Sequence, residues 1–135
     1  MANALYDHGR EGFLDGSIDY DTNDIKLVLI DEADDTPALD TDEDLADIVA
    51  GARVAVSGNF AGKTVAAGVA DANNVTLSAV SGDVSESITI YADSGVEGTS
   101  RLICNIDTAT GLPVTPNGGD ITVQWDDGAN KIFKL

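Results

Sequence analysis

Cys104 is the only cysteine, so no disulfide can form within the chain. It sits in Leu102-Ile103-Cys104-Asn105-Ile106, a strand-like run, and reads as a buried, inert thiol. Histidine is as scarce. His8 stands alone with no Ser or Cys motif around it, and there is no zinc spacing, nucleophile elbow or nucleotide fingerprint. These absences argue against an enzyme and imply no cofactor. Aromatics are only 5% of the residues, so Val, Ile, Leu and Ala must fill the core. Positive charge is thin: Arg10, Lys26, Arg53, Lys63, Arg101, Lys131 and Lys134 are scattered against 24 acids, for a net charge of −17. With no basic patch, nucleic acid and anionic membrane are excluded as partners. No apolar run approaches the ~18–20 residues of a membrane span, and the first residues lack the apolar stretch of a secretory signal. The charge favours solubility and a basic or neutral partner.

What the chain does have is turns. It carries 14 glycines with frequent Asp, Asn, Ser and Thr, and its 135 residues suit one domain. Near the C-terminus, Ile121, Val123 and Trp125 alternate with Thr122, Gln124 and Asp126, the period of a half-buried strand. Asp127-Gly128 then suits a hairpin turn, and Lys131 to Leu135 would return as the partner strand, a hairpin at the centre of the domain. Ile25 to Ile30 is the most apolar run, a buried strand paired on both sides. Arg53–Val56, Thr64–Ala70, Val75–Val80, Ser87–Ala92 and Arg101–Ile106 read as further short strands. Ala2–Leu14 reads as a helix with Leu5, Tyr6, Gly9 and Phe13 on one face, weakened by Gly9 and Gly12. Thr41 is placed to cap a short helix through Val49, with Leu45, Ile48 and Val49 inward. The expected fold is all-β: an antiparallel sandwich, jelly-roll or immunoglobulin-like, of about seven or eight strands. It forms a single domain over 1–135, with residues 1–16 as a helical arm packing on the body or on a neighbour.

Two patterns invite ligand chemistry. Gly58-Asn59-Phe60-Ala61-Gly62-Lys63-Thr64 resembles a phosphate loop but has three residues between its glycines instead of four, and it runs into a strand instead of a helix. A hairpin loop is expected there. Asp19-x-Asp21-x-Asn23 and Asp40-x-Asp42-x-Asp44 open like calcium loops. Their sixth positions are Asp24 and Leu45 and their twelfth Ile30 and Gly51, which excludes an EF-hand. The acidic stretch 31–47 reads as a solvated face, with a looser cation site as the alternative.

Three stretches look familiar together. One runs Leu5-Tyr6-Asp7-His8-Gly9-Arg10-Glu11-Gly12-Phe13-Leu14-Asp15-Gly16-Ser17-Ile18-Asp19 into Ile25–Asp31. The second is Ala50-Gly51-Ala52-Arg53-Val54. The third is Ile106-Asp107-Thr108-Ala109-Thr110-Gly111-Leu112-Pro113-Val114-Thr115-Pro116-Asn117-Gly118-Gly119-Asp120 through Lys131-Ile132-Phe133. The chain resembles a family of small virion proteins of tailed bacteriophages. The similarity spans nearly the whole length as an overall likeness, without a diagnostic chemical motif. It implies a non-enzymatic decoration or cement protein, made in the host bacterial cytoplasm and bound on the outer capsid surface at joints between major capsid subunits. Its partners would be the major capsid protein and itself, as a homo-oligomer such as a trimer on the shell. A tail-tube or head–tail joining component is the alternative, and a calcium- or carbohydrate-binding sandwich module the next. The segments expected to touch neighbours are the N-terminal arm, through Leu5, Tyr6, Arg10 and Phe13, and the long loop, through Leu112, Pro113, Val114 and Pro116.

Overall fold

The computed structural model describes residues 3–135. The strands there are Ala4–Leu5 (β1), Asp24–Ile30 (β2), Arg53–Val56 (β3), Thr64–Ala66 (β4), Val69–Asp71 (β5), Val75–Leu77 (β6), Ser87–Asp93 (β7), Leu102–Ile106 (β8), Ile121–Val123 (β9) and Phe133–Lys134 (β10). One α-helix, Asp7–Asp15 (α1), precedes β2. All pairings are antiparallel, in a five-stranded sheet β1-β8-β7-β2-β3, a three-stranded sheet β10-β5-β4 and a two-stranded sheet β6-β9. The protein is all-β and sandwich-like, as its turn-rich composition indicates.

The five-stranded sheet is buried on both faces, which explains why Ile25–Ile30 is apolar without alternation. One face presents Ile25, Leu27, Leu29, Ile88 and Ile90 to the two small sheets, where Phe60, Ala70, Val75, Leu77, Trp125 and Phe133 close the main core. The other face presents Val28, Ile30, Tyr91 and Leu102 to Tyr6 and to Leu45, Ile48 and Ala52 from the long β2–β3 connection. Burying each such aliphatic or aromatic side chain contributes about 1.5–3 kcal/mol, so a sheet covered twice is the stable centre of the molecule.

Helix α1 lies directly on β8. Gly9 and Gly12 are its buried residues, and a Cβ on Gly9 would stand 2.7 Å from the Leu102 carbonyl oxygen. The glycines that weaken the isolated helix are what let its backbone approach the sheet. Leu5 belongs to β1 and Tyr6 caps the helix in an extended conformation, so the helix starts later than the face pattern suggests; Ala2 lies outside the described residues. Gly16, in the left-handed region at φ 81°, ends it. The arm packs on its own body: the Arg101 guanidinium donates to the His8 carbonyl oxygen at 3.0 Å and pairs with Glu43 at 2.9 Å.

Several local expectations are corrected. The C-terminal hairpin does not form. Ile121–Val123 pairs with Val75–Leu77, and Phe133–Lys134 pairs with Ala70 and Val69, so the two strands lie in different sheets; a turn does form over 128–131, closed by the Lys131 N–H donating to the Gly128 carbonyl oxygen at 3.4 Å with Lys131 at φ 47°, but it does not join paired strands. Thr64–Ala70 is two strands joined by a tight turn, with Ala67 at φ 52° and Gly68 at φ 79°. That division, together with β1, raises the strand number from eight to ten. The Gly58–Lys63 stretch is not a hairpin loop; it crosses from the large sheet to the three-stranded one. Near 41–49 there is no α-helix. A 3-10 turn, Leu45–Asp47, is capped by Asp44 with a reciprocal Asp47 contact, and Ala50–Ala52 forms a second. Leu45 and Ile48 point inward as expected, while Val49 is exposed.

Candidate functional site

Two concavities stand out on the surface. The larger, about 660 Å³, is a cleft between the β1 edge of the large sheet and the C-terminal segment. Asn3, Leu5, Thr108, Thr110, Gln124, Asp126, Lys131 and Lys134 are among its lining residues. On the β1 side, Asn3 extends the β1–β8 pairing. Its amide nitrogen donates to the Thr108 carbonyl oxygen at 3.0 Å, and its side-chain oxygen accepts from the backbone N–H groups of Asp107 at 2.9 Å and Thr108 at 3.0 Å. The N-terminal arm and the start of the long loop, which sequence reading names as separate contact segments, are thus brought to one place.

The cations explain the electrostatics of this cleft. Arg10, Lys26, Arg53 and Arg101 pair with Asp7, Asp93, Glu97 and Glu43, at 2.7 to 2.9 Å. Lys63 donates to the Asn23 carbonyl oxygen. Among the described residues, Lys131 and Lys134 have no ion pair, and both line the cleft.

The smaller concavity, about 320 Å³, is an apolar groove on the three-stranded-sheet side. Phe13, Ile18, Tyr20, Ala70 and Phe133 make its floor, Val65 and Leu135 its shoulders, and Asp19 and Asp21 its rim. The Phe133 ring packs edge-on to Tyr20 at 5.7 Å and tilted to Phe13 at 5.8 Å, geometries favourable to aromatic quadrupoles. The Tyr20 hydroxyl is fixed by donating to the Asp71 carbonyl oxygen at 3.1 Å, and burial raises its pKa well above the ordinary phenol range.

The expected contact residues fall as follows. Leu5 lines the cleft and Phe13 the groove. Tyr6 is fully buried, its hydroxyl 2.9 Å from the Thr89 hydroxyl, so it serves the chain's own core. Arg10 is exposed and tied to Asp7 at 2.8 Å. Pro113 is exposed, following a cis peptide bond from Leu112, and Leu112, Val114 and Pro116 are half-buried. None of these four lines either cavity. Val114 exchanges backbone hydrogen bonds with Ser85, both at 2.9 Å, which fastens the loop to the body. Lys131, Lys134, Tyr20, Val65 and Leu135 carry no motif in the sequence; only the meeting of distant segments gives them a shared surface.

Most of the acidic 31–47 stretch is engaged with its own backbone. Asp35 accepts from the Val49 N–H, Asp42 from Ala38, and Asp47 from Glu43 and Asp44. Those last two bonds hold the Asp47 carboxyl below its ordinary range, whereas burial raises Asp42 and Asp44. Asp31 and Asp34 instead meet Asp83 from a distant turn, one carboxylate oxygen of each lying within 4.8 Å of the others. Asp31 is buried and its carboxylate accepts from the Ala33 N–H at 2.9 Å. The donor set is all oxygen, the kind a hard cation takes. The Cys104 thiol is buried among the core, and burial pushes its pKa up to about 12, so it is unreactive.

Against known proteins, no family model matches this chain and no curated protein matches it.

Proposed function

We propose that this chain is a structural, non-catalytic protein of a tailed-bacteriophage virion. In this reading it decorates the outer capsid and stabilises the shell by binding across joints between major capsid subunits. The sequence resemblance supplies the setting. The observation that carries the reading is how charge is arranged on the body. Four of the seven cations are drawn into pairs with the chain's own acids, so a molecule of net charge −17 offers its surroundings an acidic surface. Such a surface repels its own copies in solution and draws the chain toward basic or neutral surfaces. Both ends of the fold are fastened to it, through Asn3 at one and the pairing of Phe133 with Ala70 at the other, as suits a rigid clamp. Binding only the assembled shell would stabilise it by mass action.

Purified chain added to shells from which it has been removed should sediment with them, and attachment should slow as salt is raised. A chain that stays in the supernatant, or an on-rate indifferent to salt, contradicts the proposal.

A further inference from the structure

We propose that the smaller groove seats one apolar side chain of a basic protein segment, with a lysine or arginine of that segment placed at Asp19 and Asp21. The proposal goes beyond the assignment to a virion: it names the partner's chemistry, whichever particle or protein supplies it.

The argument begins with exposed apolar surface. Among the described residues, Leu14 is 88% exposed, Leu135 60% and Val65 55%; Val49, Val56 and Val96 are exposed too, but away from this groove. Val65 and Leu135 form the groove's shoulders, and Leu14 follows Phe13 of its floor where α1 ends. Scattered exposed apolar residues need no explanation, but apolar shoulders on an aromatic-floored groove mark a contact surface. Its volume of about 320 Å³ is at the small end of ligand pockets, a fit for a bulky side chain or two and not for an extended ligand. The floor is preformed, because the Phe13–Phe133–Tyr20 ring contacts and the Tyr20 bond to Asp71 hold it in place without a partner.

Charge complementarity selects the occupant. The rim carboxylates Asp19 and Asp21 interact directly: their contact raises the Asp21 pKa and lowers that of Asp19, the pattern of two acids competing for one proton. A partner's cation beside them removes that repulsion. The chain's own Lys63 attracts Asp21 in part, but its ammonium is held by the Asn23 carbonyl oxygen and lies 5.9 Å from the Tyr20 ring centre. A second copy of this chain is a poor occupant, since it brings the same net charge of −17. A segment with a large apolar residue flanked by Lys or Arg satisfies both floor and rim.

The test uses the full chain and two short peptides, one with a phenylalanine flanked by lysines and its twin with glutamates. Amide resonances are followed by NMR during titration. The lysine peptide should shift Phe13, Tyr20, Val65 and Leu135 saturably, and the glutamate twin should bind about tenfold more weakly or not at all. Val65→Ser, which removes the apolar shoulder at an exposed position without changing charge, should weaken the lysine-peptide shifts while the rest of the spectrum stays in place. Asp21→Lys should erase the preference between the peptides. Equal binding of the two peptides, or shifts confined to the Lys131–Lys134 cleft, overturns the proposal. So does concentration-dependent broadening of the groove amides without peptide, which assigns the groove to a second copy.

Discussion

Gly9 lies so close to Ile103 that a Cβ at position 9 would stand 2.8 Å from the Ile103 carbonyl oxygen and 3.0 Å from its Cα. The helix therefore touches β8 backbone to backbone. Gly9→Ala gains about 1 kcal/mol of helix propensity, but overpacking costs about 1–3 kcal/mol, and neither neighbouring backbone can give way. The variant should unfold at lower urea than the parent. At Gly12 the obstacle is the Ile18 side chain, 2.6 Å away, which can rotate. Gly12→Ala should cost less. A Gly9→Ala protein more stable than the parent contradicts this packing.

The Ala67-Gly68 turn places an alanine at φ 52°, where an L-residue with a Cβ is strained. Asparagine tolerates that region and is common in such turns. Ala67→Asn should raise stability by about 0.5–1 kcal/mol. Gly68→Ala should lower it, since its φ is 79° and its Cβ would meet the Leu135 carbonyl oxygen at 3.1 Å. Urea midpoints of the two variants, moving in opposite directions, are the check.

Arg53 holds the β2–β3 connection to the sheet. Its guanidinium donates to the carbonyl oxygens of Leu45 at 2.8 Å and Ile48 at 2.6 and 2.9 Å, and to Glu97 at 2.8 Å. Lysine keeps the charge but not the planar fork. Arg53→Lys should cost roughly 1.5–3 kcal/mol and speed hydrogen exchange in residues 45–52 before the rest of the chain. Unchanged exchange there would show that Arg53 is not the fastening.

Acidity should first stabilise and then unfold the protein. The folded state raises the pKa of Asp42 and Asp44, chiefly by burial, so it binds their protons at higher pH than the unfolded chain does. Their effect favours folding as pH falls through the raised values and is lost as pH rises through them. Asp93 and Asp47 are lowered, Asp93 mainly by its bond to Lys26 and Asp47 by two backbone N–H groups. Their stabilisation is complete above the unfolded value and is lost as pH falls through the lowered ones. Relief of the net charge of −17 acts in the same direction as Asp42 and Asp44. The urea midpoint should rise from about pH 7 toward about pH 5 and drop below about pH 3. A steady fall from neutrality would contradict these assignments.

Sequence reading goes as far as faces and not as far as partners. The apolar run at Ile25–Ile30, the alternation at Ser87–Ala92 and the Cys104 strand are strands in the structure, because burial on both faces or one leaves a pattern in composition. Ile121–Val123 reads correctly as a strand, yet alternation does not say which strand it pairs with, and the turn signalled by Asp127-Gly128 forms over 128–131 without joining paired strands. Ala67 concealed a turn because alanine is not a turn residue. The helix expected at Thr41 gave way to a turn capped by Asp44, since consecutive acids in this stretch find nearer backbone N–H groups. The cleft and the groove could not be read in advance, because each is lined by segments far apart in sequence.

We propose that this protein is exposed on the outside of a virion shell. Quantitative mass spectrometry of purified virions, before and after protease treatment of intact particles, tests it most directly. The chain should be present in copy number comparable to the major capsid protein and accessible to protease from outside. Its absence from virions, or its presence only after the shell is opened, would contradict the account.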